Sequence, residues 1–129
     1  MSGKLTNQTE SKTRGVQLTR IQNAPFKLCI QESLDKKFCF NKLSGGKHLR
    51  EWHNFVEETV GKKLSISEVD SLFLRTKGEV SVEQKIHGIT RKVVHYGKDK
   101  KTFRIHGYYN DDGYFVIHKI DPTHKEHKS

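Results

Sequence analysis

The chain has 129 residues, enough for one modest hydrophobic core and too few for two ordinary domains. Only 33% of the residues are hydrophobic, so the core is expected to be thin and much of the chain to be surface, loop or tail. Lys and Arg outnumber Asp and Glu by 24 to 15, a net charge of +9 whose field attracts polyanions, nucleic acid foremost; no apolar run approaches the roughly twenty residues of a membrane helix, and no segment joins a basic face to a continuous apolar one.

Residues 1–20 are rich in Ser, Thr, Lys, Asn and Gln. With almost nothing apolar to bury, they predict a disordered basic arm, carrying Lys4, Lys12, Arg14 and Arg20. The stretch lacks the apolar segment of a secretory leader, so a reduced, cytoplasmic setting is expected, with Cys29 and Cys39 as free, buried thiols.

Residues 21–122 read as a single α+β domain. Phe26, Leu28 and Ile30 alternate with polar neighbours, and the pattern resumes at Phe38 and Phe40 after a short polar break, which predicts a hairpin. After Ser44-Gly45-Gly46, apolar residues recur at intervals of three and four: Leu49, Trp52, Phe55, Val56 and Val60. They form the buried stripe of a helix ended by Gly61, with Trp52 as a core anchor. Ser65 followed by Glu68 has the form of a capping box, opening a second, short helix with Val69, Leu72, Phe73 and Leu74 inside. Val80 to Val94 predicts one or two strands interrupted at His87-Gly88. A last hairpin runs from Phe103 to Ile120 through Asp112-Gly113, and residues 123–129 form a charged tail. The fold class expected is an antiparallel sheet packed against two helices.

The last hairpin carries the chemistry. Strand alternation puts Arg104, His106 and Tyr108 on one face; a two-residue Asp112-Gly113 turn sets Arg104 opposite Asp121 and His106 opposite Lys119, a four-residue Asn110 to Gly113 loop shifts the pairs by two, and in either register that face also receives Phe115, Ile117 and Lys119. A bulge would alter the assignment, and Gly107 makes one possible. Arg, His and Lys beside aromatic rings suit phosphate contact, base stacking and proton transfer, the needs of a ribonuclease that uses no metal. On that reading His106 and His124 are base and acid, and Arg104 and Lys119 clamp the phosphate. Lys98, Lys100, Lys101, Tyr108 and Phe115 bind the nucleic acid. A solvated sheet face with ordinary surface histidines is the plain alternative. A metal set of His118, Asp121, His124 and His127 has no recognised spacing, so neither metal nor cofactor is expected.

The series Arg104-Ile105-His106-Gly107, Phe115-Val116-Ile117 and Asp121-Pro122-Thr123-His124 resembles a group of small uncharacterised bacterial proteins with an R-(I/V)-H-G strand, an aromatic strand and a D-P-x-H close. More distantly, a helix bearing Leu49-Arg50-Glu51-Trp52, then strands with an arginine, then a late histidine, is similar to the RelE/ParE toxin superfamily. That resemblance implies an endoribonuclease that cuts messenger RNA on the ribosome, with Arg104 as the strand arginine and His124 as the C-terminal histidine, and an antitoxin partner covering the sheet. The alternative is a non-catalytic module that binds RNA, DNA or a protein through the same basic, aromatic face.

Overall fold

The computed structural model describes residues 23–75, 82–98 and 101–123. The expected arm at 1–20 and most of the expected tail, including His124, lie outside them, as does Lys100. The chain forms a single α+β domain. Strand β1 (Leu28–Cys29) is followed by a one-turn 3₁₀ helix (Phe40–Lys42), α1 (Gly45–Thr59), α2 (Ile66–Phe73), and then β2 (Val82–Ile86), β3 (Ile89–Gly97), β4 (Arg104–Tyr109) and β5 (Phe115–Asp121). The sheet order is β1-β5-β4-β3-β2, antiparallel throughout except that β1 lies parallel to β5.

The parallel β1 corrects the expected hairpin over residues 26–40. Leu28 and Cys29 pair with Phe115 and Val116, while Phe38 and Phe40 belong to no strand. The segment after β1 instead runs beside β5, where the Asp35 N–H donates to the His118 carbonyl (2.9 Å) and the Ile120 N–H donates to the Phe38 carbonyl (2.8 Å). Alternation over a few residues marks an extended chain and leaves its hydrogen-bonding partner unspecified.

Both helices pack on one face of the sheet. The main core joins Phe26, Phe55, Ile66, Val69 and Phe73 to Val94, Tyr96, Phe103, Ile105, Phe115, Ile117 and Ile120. Helix α2 begins with the expected capping box: the Ser65 Oγ accepts from the Glu68 N–H (3.2 Å), and the Glu68 carboxylate accepts from the Ser65 N–H (2.8 Å). Helix α1 buries a narrower stripe than its pattern predicts. Phe55 and Thr59 are buried, Trp52 is half-buried, and Leu49 and Val60 face solvent. In α2, Leu72 is likewise exposed.

A second, smaller core lies on the opposite face, made by Ile86, Val93, Tyr108 and Val116 with Cys29 against it. The β2–β3 hairpin supplies half of it. Only Val94 to Gly97 of β3 pair with β4, so the first half of β3 pairs with β2 alone. At the hairpin tip, His87 and Gly88 take positive φ (49° and 82°), and the His87 Nε2 lies 3.0 Å from the Ser33 carbonyl oxygen, beyond β1 at the other side of the sheet. The hairpin therefore arches over the face opposite the helices.

Candidate functional site

Two registers assemble the site. Between β4 and β5, Arg104 lies opposite Asp121 and His106 opposite Lys119, the pairs of one of the two expected registers, although the turn spans residues 110–114 with Tyr109 opposite Phe115, and the pairs coincide only beyond an irregularity in β5. Between β3 and β4, His95 lies opposite His106 and Gly97 opposite Arg104. Directly opposed residues share a face. Arg104, His106, Lys119, Asp121 and His95 thus meet on the face turned away from the helices.

The next pair breaks the regular count. Gly107 pairs with Ile117, so His118 has no residue of β4 opposite it, and β5 is bulged there. The bulge reverses the faces of the first half of β5. Val116 joins Tyr108 on the far face, whereas Phe115 and Ile117 turn into the helix-side core, a correction to the regular assignment of those two residues. Gly107 permits this because the Phe115 ring fills the space of its missing side chain. A Cβ there would collide with the Val116 carbonyl oxygen and lie 2.8 Å from the Phe115 Cζ. Phe115, expected to stack on a base, is wholly buried among Phe26, Tyr96 and Tyr109 and presents no face to a ligand.

At the centre, the His95 and His106 rings stack, centroids 4.8 Å apart and planes 16° from parallel. Arg104 folds back over the strand, its Nη1 donating to the Phe103 carbonyl (2.9 Å) and to the Lys101 carbonyl. Gly97 makes room for it: a Cβ at that position would lie 2.6 Å from the Arg104 Nη1. The Lys119 Nζ stands 5.5 Å from the centre of the Phe38 ring, a cation–π contact, and the Asp121 carboxylate accepts from the Thr123 N–H (3.3 Å). All five polar residues are buried, the most accessible being His95 at 8%.

Tyr108 borders this cluster. Its hydroxyl donates to the Glu32 carboxylate (3.0 Å), and the Arg91 guanidinium sits 4.5 Å from its ring centre, so the ring face that a base would use is covered. Burial and then the Glu32 hydrogen bond raise its hydroxyl above the usual phenol range. The exposed lysines lie at the rim: the Lys98 Nζ is 3.0 Å from Glu58 on α1, and Lys101 is solvent-exposed.

A second polar chain lies on the helix side. The Tyr96 hydroxyl donates to the Asp70 Oδ1 (2.5 Å) and is 2.7 Å from the Tyr109 hydroxyl. Burial raises both phenols far above their usual range; it also raises the Asp70 carboxyl, a shift that the Tyr96 hydrogen bond partly offsets. Such phenols hold their protons at neutral pH. This chain fastens α2 to the sheet.

The sequence reading left His95 and Asp121 out of the ribonuclease set. Asp121 was legible as the partner of Arg104 in one of two registers open to the hairpin; His95 depends on the β3–β4 register, which the loop after Gly97 leaves open. Among the described residues no cluster of three His, Cys, Asp or Glu side chains is arranged to hold a metal ion, and no helix is long and apolar enough to cross a membrane. Compared with protein-family models, curated proteins and solved structures, the chain gives no match.

Proposed function

We propose that the protein acts on RNA through the face of the sheet opposite the helices, as a small metal-independent endoribonuclease of the toxin kind. The observation that carries this reading is the gathering of Arg104, His106 and Lys119 around His95 on one face of a chain with a net charge of +9. His106, stacked on His95, takes the proton of the ribose 2′-OH. Arg104 and Lys119 hold the charge that develops on the phosphate, and His124 gives a proton to the leaving oxygen. The two stacked rings are too close to straddle a phosphate, so they serve as one proton-transfer group on one side of it. An antitoxin covering this face would be acidic.

The burial of all five polar groups favours a second reading. A cluster closed to solvent holds the sheet together, and exposed lysines such as Lys101 then bind nucleic acid without chemistry. RNA cleavage assays, on and off the ribosome, separate the two. For the enzyme, His106→Ala or His124→Ala lowers the cleavage rate by about 10²- to 10⁴-fold with RNA binding retained, and Arg104→Ala damages both. The rate follows a bell-shaped pH curve with limbs in the histidine range. Wild-type protein that binds RNA and never cuts it rejects the enzyme and leaves the binding module; absence of RNA binding even at low salt rejects both.

A further inference from the structure

The outer side of β2 is a sheet edge to which no described strand is paired. Residues flanking a two-residue turn form a hydrogen-bonded pair, and here those residues are Ile86 and Ile89 around His87-Gly88. Counting back along β2, the backbone N–H and C=O groups of Ile86, Gln84 and Val82 point at β3. Those of Glu83 and Lys85 point outward, to the free edge.

We propose that this edge is a homodimer interface, in which β2 pairs antiparallel with β2 of a second copy about a two-fold axis at Gln84. Only this centre puts opposite charges together. With Gln84 on the axis, Glu83 lies opposite the second copy's Lys85 and Lys85 opposite its Glu83, and these two pairs are the ones whose outward N–H and C=O groups can bond. Centring on either neighbour would set Glu83 against Glu83 or Lys85 against Lys85, which is destabilising. The side chains agree with the backbone. Both Glu83 and Lys85 are exposed, on the same side of the hairpin, and Glu83 already faces Lys92 of β3, so in the dimer it stands between two lysines.

The other side of the strand supplies apolar continuity. Val82 and Ile89 are 49% and 50% exposed, unusually open for side chains beside a small core. In the proposed register, Val82 lies opposite the second copy's Ile86, which is itself opposite that copy's Ile89. Two apolar rows therefore run across the junction, one on each side of the axis: Val93, Val82, then Ile86 and Ile89 of the second copy. The contact is isologous, so it closes at two copies rather than growing into a fibre. Each copy carries +9, and their mutual repulsion makes this a modest dimer that moderate salt strengthens.

Sedimentation equilibrium of the full chain, from micromolar to near-millimolar concentration, tests the interface by charge exchange. Glu83→Lys sets lysine against Lys85 in both halves, and Lys85→Glu sets glutamate against Glu83. Each variant should weaken the dimer about tenfold or more, although they move the net charge in opposite directions. An equimolar mixture of the two restores opposite charges in both pairs and should give heterodimers, and the double variant Glu83→Lys/Lys85→Glu should self-associate again. Lys85 faces the neutral Thr90 within its own hairpin, so Lys85→Glu leaves the fold intact, which its melting curve checks. A wild-type chain that stays monomeric at the highest concentration overturns the proposal. So does a dimer indifferent to both reversals, or a mixture that fails to associate.

Discussion

Gly107 and His118 show how single residues set the sheet. At Gly107 the neighbours of a new Cβ are the Val116 carbonyl and the rigid Phe115 ring, neither of which can swing aside. Gly107→Ala should therefore cost about 2 to 4 kcal/mol, more than an ordinary overpacking, because backbone and core must move together; chemical denaturation measures it, and a loss within about 0.5 kcal/mol would show the bulge to be pliable. His118, at the bulge, titrates below the usual imidazole range. Burial is the main cause, Lys119 and His87 add to it, and Asp35 and Glu32 pull the other way. The folded form thus resists a proton that the unfolded chain takes near pH ~6.5. The His118 contribution is complete above that pH, is lost as the pH falls through the folded pKa, and levels off below it. His118→Gln should flatten this part of the stability–pH profile; an unchanged slope would assign the loss to another group.

At the scale of elements, amphipathic periodicity identified both helices but overestimated how much of α1 is inside. Its buried positions are Phe55 and Thr59, the Thr59 hydroxyl satisfied by the Phe55 carbonyl at 2.7 Å, while Leu49 at the other end of the stripe is open to solvent. Phe55 is the anchor, in ring contact with Phe26, Phe73 and Tyr96; Trp52 stacks on Phe55 from outside and meets Phe40. Phe55→Ala should cost about 3 to 5 kcal/mol, whereas the larger but half-exposed Trp52 should cost about 1 to 2 kcal/mol when cut to alanine. Thermal and denaturant melts of the two variants check the order, and a reversed order would make α1 pack through Trp52. The capping box of α2 was readable outright, since Ser65 and Glu68 interact through the local backbone alone.

For the whole molecule, the charge of +9 has two opposite consequences. Binding to RNA should weaken steeply with salt, because each phosphate contact releases a counterion, while association of two like-charged copies should strengthen with it. Among the described residues Lys98 is paired with Glu58 and Lys101 has no acidic partner, so Lys101→Ala should reduce the salt slope of RNA binding by about 0.7 to 0.9 and Lys98→Ala by less. Fluorescence anisotropy titrations at several salt concentrations measure both, and equal slopes for wild type and Lys101→Ala would take Lys101 out of the contact.

The sequence by itself determined what local interactions decide. These include the α+β class, the two helices and the capping box of the second, the strands around His87-Gly88, and the shared face of Arg104, His106 and Lys119, since all of these follow from neighbours a few residues apart or joined by one short loop. Only the tertiary structure decided that β1 lies parallel to β5, that His95 stacks on His106, that a bulge at His118 turns Phe115 inward, and that the cationic cluster is buried. The physical reason is that strand partners distant in the chain, and the face a side chain finally takes, are set by which apolar surfaces close on one another. Alternation states that a strand has two faces; packing selects which one is covered.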